Sequence, residues 1–184
     1  MASTEDLKKK LEELRDNLET VLAPVATIVS GTGKAIAERT IRDKGFGQEY
    51  ADTEVPTWFN KNNSLNKKVD RAREKKNKAA EGGKGRMSWK DVRRAAGLQV
   101  DFVDLAYSNE MWRGIQPQKP FTEGSYILAP LAHNNTKGQK KMDWNRDRYG
   151  DFFFIVLEGE PMKELGELGQ EEAAKRIIEF LKPQ

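Results

Sequence analysis

Residues 86–115 read RMSWKDVRRAAGLQVDFVDLAYSNEMWRGI, and this stretch constrains the fold more tightly than any other. Ser88, with Asp91 three residues later, is a relative of the Ser-x-x-Glu capping box, so a helix starts here. Trp89, Val92 and Ala96 fall on one helical face, and Lys90, Arg93 and Arg94 occupy the rest of the circumference. Gly97 supplies a left-handed stop, with Leu98 beyond it to seal the end. Val100, Phe102 and Val103 then read as extended, flanked by Asp101 and Asp104, which should face solvent or a basic partner. Tyr107-Ser108-Asn109-Glu110 reads as a turn or a new helix start, because Asn109 tolerates left-handed geometry and Ser108 can cap. Met111, Trp112 and Ile115 return apolar bulk to a core.

Upstream of this stretch the charge is uneven. The net charge of the 184 residues is only +3, yet residues 61–94 hold 13 Lys/Arg against 4 Asp/Glu, which leaves the remainder at −6. Residues 64–80 are compatible with a helix and nearly free of apolar side chains; only Leu65 and Val69 form a short stripe. Gly82-Gly83-Lys84-Gly85 makes a hinge after it. Such a segment is a solvated or partner-bound arm, or a contact for nucleic acid through Lys67, Lys68, Arg71, Arg73, Lys75 and Lys76. Aromatic residues are not interleaved with these cations, which argues against base stacking. Residues 45–60 are irregular and carry Tyr50, Trp58 and Phe59, side chains suited to pinning an extended segment onto another surface.

At the N-terminus, Leu7, Leu11, Leu14, Leu18, Val21, Val25 and Ile28 alternate steps of four and three, a seam of coiled-coil type. It serves an amphipathic helix packed on its own domain, or one packed against a neighbouring subunit. Pro24 predicts a kink or a second helix start. Residues 126–131 and 152–157 are strand candidates, with Pro130 ending the first or placing it at an edge, and with a helix start left open for the second. Residues 142–149 and 171–181 are helical, the latter with Ala174, Ile177, Ile178 and Leu181 on its apolar face.

Several chemistries lack their residues. Ser30-Gly31-Thr32-Gly33-Lys34 misses the P-loop pattern, since Ile28 stands where a glycine is needed and Ala35 where Ser or Thr is needed. The glycines there instead allow close helix packing or a break. There is no cysteine and His133 is the only histidine, so a zinc site is not expected and His133 reads as a loop residue. Asp143, Asp147 and Asp151 share a face and would suit a magnesium-dependent nuclease, but Arg146 and Arg148 interleave with them as ordinary salt-bridge partners. No catalytic residue, metal or cofactor is expected. No uninterrupted apolar run of membrane-spanning length is present and the N-terminus is charged, so the expectation is a chain made in a cytoplasm, away from membranes.

The order Trp89, Arg93, Gly97-Leu98-Gln99, Asp101, Asp104-Leu105, Glu110-Met111-Trp112-Arg113 resembles the head–tail joining, neck and tail-completion proteins of tailed bacteriophages. Ser108-Asn109 departs from the Thr-Gly of that pattern but keeps a hydroxyl and a left-handed-tolerant residue. Arg148-Tyr149-Gly150-Asp151-Phe152 adds a second match. The resemblance implies a structural, non-enzymatic virion protein, assembled in the host cytoplasm. It implies a ring of identical subunits meeting portal or adaptor proteins and tail proteins, with contact to packaged DNA open to it. Tyr50, Trp58, Phe59, Trp89, Arg93, Arg94, Asp104, Glu110, Trp112 and Arg113 would then serve its interfaces, although core is the commoner place for the two tryptophans. A nucleic-acid-binding protein working through residues 61–94 is the alternative. The fold expected is one α+β domain over residues 1–184. Long N-terminal helices and a C-terminal helix pack on a small antiparallel sheet of residues 100–107, 126–131 and 152–157, with an extended loop and basic arm at 45–87.

Overall fold

The structure, a computed structural model, describes residues 4–50, 64–79, 87–105 and 110–182. The fold is α+β: mostly helical, with short antiparallel strands and helices at both ends. The chain divides into two compact units, residues 1–40 with 109–184, and residues 41–108.

In the first unit, α1 (Thr4–Asp16) and α2 (Leu18–Lys44) part at Asn17, whose side-chain amide donates to the Glu13 carbonyl at 2.8 Å. Pro24 neither starts a helix nor ends one, since α2 runs through it. The N-terminal seam divides: Leu14 and Val25 are buried, whereas Leu7, Leu11 and Leu18 stay exposed. The C-terminal helix, α8 (Glu160–Leu181), runs antiparallel to α2. Gly169 meets Val29, and Gly33 admits Leu165 of α8 so closely that a Cβ would lie 3.3 Å from its methyl. The glycines of the failed P-loop therefore serve packing. Lys10 of α1 donates to the Leu181 and Lys182 carbonyls at 3.2 and 2.5 Å and satisfies the open end of α8. Among the described residues, α2 alone meets the length and hydropathy of a membrane-crossing segment; Ser30, Thr32 and the glycines interrupt its apolar run without making it strongly polar.

The strands form two short two-stranded antiparallel sheets that follow one another along a single hairpin-like ribbon. β1 (Ile115–Pro117) pairs with β4 (Leu131–His133), and β2 (Phe121–Glu123) pairs with β3 (Tyr126–Leu128). The Gln118 N–H donates to the Pro130 carbonyl at 2.8 Å and links the two ladders. Gly124, with φ of +60°, and Ser125 make the two-residue turn at the tip, the loop length that right-handed strand twist favours. The junction between the two ladders rests on α2, where the Ser30 hydroxyl donates to the Ala129 carbonyl at 2.6 Å.

Two predicted strands are corrected. Residues 152–157 form α7 (Phe152–Leu157), not a strand, because an unbroken apolar run carries no period and can bury as a short helix. Phe152 packs fully buried beneath α5 (Glu110–Gly114), with its ring 6.2 Å from the Trp112 ring in an edge contact. The described part of residues 100–107 is irregular rather than a strand, and the remainder lies outside the described residues. Pro130 divides residues 126–131, as its missing donor requires, so β3 ends at Leu128 and β4 begins at Leu131.

The second unit is built on α3 (Ser64–Ala79) and α4 (Trp89–Ala96). Val69 of α3 packs with Met87, Val92 and Ala96, and Ala72, Trp89, Ala95 and Leu98 close around them. The polar helix predicted as an arm is thus held through Val69 and Ala72. The predicted hinge at 82–85 lies outside the described residues.

Candidate functional site

Helix α4 organises the second unit because both of its ends are fixed locally. The Ser88 hydroxyl accepts from the Asp91 N–H at 3.2 Å, and the Asp91 carboxylate accepts from the Ser88 N–H at 3.0 Å, a reciprocal capping box. Gly97, at φ of +74°, turns the chain, and the Leu98 N–H reaches back to the Arg93 carbonyl at 3.0 Å. Lys76 of α3 donates to the same Asp91 carboxylate at 2.5 Å. Burial pushes the Asp91 carboxyl up, but the hydrogen bonds from Lys76 and Ser88 outweigh it, and the group sits below the usual carboxylate range.

From this frame Arg93 points inward and is only 2% exposed. Its guanidinium donates to Asp104 at 2.6 Å, its Nε donates to the Gln99 carbonyl at 2.8 Å, and its carbon lies 4.4 Å from the centre of the Tyr50 ring. The Tyr50 hydroxyl donates to the other Asp104 oxygen at 2.7 Å. Burial, opposed by Arg93 and reinforced by Asp104, raises the Tyr50 phenol above its ordinary value. The Gln99 side chain holds the turn by donating to the Phe102 carbonyl and accepting from the Asp101 and Phe102 N–H groups. The buried charges are therefore paired and hydrogen-bonded, which makes this constellation a structural lock rather than a reactive centre.

Around the lock, α3 sorts its cations into two sets. Lys76 faces α4 and is committed to Asp91, and Arg73 is half-buried. Arg71, Lys75 and Lys78 are exposed and follow one another at helical spacing on the outer face. Lys78 is absent from the cations singled out in the sequence; the phase that reveals it is set by Val69 and Ala72 turning inward. Lys67 and Lys68 belong to α3, but their side chains lie outside the described residues.

In the first unit, α6 (Thr136–Tyr149) borders a basic cleft of about 340 Å³ lined by Arg113, His133 and Lys137. His133 is not in a loop: it ends β4, with its ring wedged against Gly114 and Gly138, where a Cβ at either glycine would overlap it. Its Nδ1 accepts from the Asn135 N–H at 3.1 Å, and Asn135 in turn caps α6 through the Gly138 N–H at 2.9 Å. Exposed apolar residues gather elsewhere, on the outer ribbon at Phe121, Tyr126 and Leu128. They escape a reading based on apolar runs; the alternation around Gly124-Ser125 is the signal that finds them.

The residues singled out in the sequence thus separate. Tyr50, Arg93 and Asp104 meet in the lock, and Trp89 covers the α3–α4 core. Arg94 is exposed, 3.7 Å from Asp91, and Arg113 is exposed at the cleft. Trp112 is wholly buried against Phe152 and Phe153, in core rather than at a surface. Glu110 begins α5, with its side chain outside the described residues, and Trp58 and Phe59 lie outside them altogether. Asp143, Asp147 and Asp151 are exposed, and no group of acidic or histidine side chains among the described residues is arranged to hold a metal ion. No protein-family model, curated protein or solved structure matches this chain.

Proposed function

We propose that this chain is a structural subunit of the head–tail interface of a tailed bacteriophage. One copy takes its place in a ring of identical subunits between portal or adaptor and tail proteins. The observation that carries the reading is the ribbon. Its base is buried at Ile115, while its outer half exposes Phe121, Tyr126 and Leu128, at 45%, 72% and 38%. A two-stranded ribbon is marginal in water by itself, and an exposed apolar face of this kind belongs against a partner. The register puts these three side chains on one face, since Phe121 pairs with Leu128 and Glu123 with Tyr126. Leu7 and Leu11 of α1, with Leu18 at the start of α2, add further unfilled apolar surface.

The resemblance supports the same reading. Arg93, Gly97, Leu98, Gln99 and Asp104, which carry it, join in one hydrogen-bonded motif, so their order in the sequence has a structural cause. Mechanism here is assembly: head-to-tail contacts close a ring, and ribbon and N-terminal helix dock to adjoining layers. Electron microscopy of the purified protein, alone and with portal and tail proteins, is the test. Rings, or incorporation into a ring, are expected; dispersed single copies under both conditions reject the proposal.

A second reading, nucleic-acid binding through residues 61–94, draws on the exposed row Arg71, Lys75 and Lys78. Three phosphate contacts would give a logarithmic salt slope of about −2.7 for duplex DNA. A flat salt response of DNA affinity rejects this second reading.

A further inference from the structure

We infer that the outer row of α3 docks antiparallel on an acidic row of α8 in a second copy of this chain. The inference rests on the proposed ring of identical subunits and names the contact that closes it. Arg71, Lys75 and Lys78 are spaced by four and then three residues along α3, and all three are exposed. Glu164, Glu167 and Glu171 are spaced by three and then four along α8, and all three are exposed. Read in opposite directions the two spacings coincide, so Arg71 faces Glu171, Lys75 faces Glu167 and Lys78 faces Glu164. Each row covers seven residue steps, about 10 Å of helix axis.

Three further observations agree. Arg71 with Lys75, and Glu167 with Glu171, are like charges one helical turn apart, and an opposite charge from a neighbour adds to the relief that Glu74, Lys163 and Lys175 give on their own helices. Lys76 is committed to Asp91, while the exposed row of Arg71, Lys75 and Lys78 is left to an outside partner. The units are also charged oppositely: residues 41–108 hold 15 Lys/Arg against 10 Asp/Glu, and the rest of the chain holds 17 against 19. A contact between the basic unit of one copy and the acidic unit of the next is heterologous, and a heterologous contact that repeats with rotation closes a ring. Antiparallel docking also sets the two helix dipoles in opposition. Within the acidic row, Lys163 lies 4.0 Å from Glu167 and 3.5 Å from Glu160; these exposed contacts leave Glu164 and Glu171 to the neighbour.

The test uses the full chain and two triple variants. One carries Arg71→Glu, Lys75→Glu and Lys78→Glu, and the other carries Glu164→Lys, Glu167→Lys and Glu171→Lys. Sedimentation at about 0.05 M salt should show self-association of the unaltered protein, weakened on moving to about 0.5 M as the exposed charges are screened. Each variant alone should associate at least about tenfold more weakly, the sum of three exposed pairs. An equimolar mixture of the two should recover association, because each then offers the other a complementary row. Recovery also shows that both variants fold; if either fails to fold by circular dichroism, the corresponding triple glutamine variant replaces it and should lose the salt response. Rings that persist unchanged in each variant overturn this contact and leave the ring itself standing. An unaltered protein that never associates overturns both. An α3 variant that loses DNA affinity yet associates normally assigns the row to nucleic acid instead.

Discussion

Among the described residues Arg93 and Trp112 are the two largest fully buried side chains, one in each unit, and their surroundings differ in kind. Arg93 is a charge surrounded by partners: Asp104, the Gln99 carbonyl and the Tyr50 ring. Trp112 is an apolar ring among rings, edge-on to Phe152 and Phe153, and its buried indole N–H has no hydrogen-bond partner among the described residues. The second unit buries Ile41, Phe46 and Val103 as well as the cluster of Val69, Met87, Val92 and Ala96, yet it also buries a charge. It fixes its geometry with directional bonds. The first unit, richer in large apolar residues, relies on volume and tolerates an unmade bond. Polar locking gives one arrangement and fails abruptly when a member is lost; apolar packing degrades in proportion to the volume removed.

Removing one member of the lock should separate the two cases most sharply. Arg93→Ala strands the Asp104 carboxylate and should cost about 3–5 kcal/mol in urea unfolding, with hydrogen-exchange protection lost in residues 87–105. Replacing both partners, as Arg93→Met with Asp104→Leu, should recover most of that loss. If the double change costs as much as the single one, the lock is not an ion pair that apolar packing can replace. Trp112→Ala should cost a similar 3–5 kcal/mol by cavity formation, but Trp112→Phe only about 1–2 kcal/mol, since it also removes the unmade bond.

Tyr50→Phe should cost about 1.5–3 kcal/mol at neutral pH by removing a hydrogen bond to a carboxylate. Its pH signature sharpens the comparison. The folded protein raises the Tyr50 phenol, so the stabilisation is present below the ordinary tyrosine value of about 10 and is lost as pH rises beyond it. Alkaline unfolding should therefore reach the second unit first, and Tyr50→Phe should flatten that step. At the acid end the sign reverses. Asp91 is lowered, so its contribution is present above about pH 4 and disappears as pH falls through the lowered value. Asp91→Asn should cost about 1 kcal/mol at pH 7, and the difference from the unaltered protein should vanish in acid thermal melts. Tyr126→Ser, on the outer ribbon, should change stability by less than about 0.5 kcal/mol while reducing association seen by light scattering.

What was legible in the sequence is what local chemistry decides. The capping box of Ser88 and Asp91, the stop at Gly97 and the C-terminal helix all depend on residues within a turn of one another. Residues 152–157 were illegible because six apolar residues in succession hide their period, and only Trp112 against Phe152 decides for a helix. The lock was half legible. Arg93 and Asp104 stand out in the sequence, but their pairing depends on Gln99 folding the chain back over α4. The outer row of α3 could not be separated from its inner cations without knowing which way Val69 and Ala72 face.

The wedge of the His133 ring between Gly114 and Gly138 ties three distant positions into one inheritance. While position 133 carries a ring, alanine at 114 or 138 is barred by collision; once 133 shrinks, 138 is released, whereas a Cβ at 114 still meets the Asn134 Oδ1 at 2.6 Å. Drift at this corner should therefore be ordered, with the histidine yielding before either glycine, and His133→Ala should turn Gly138→Ala from a lesion into an improvement of the α6 helix.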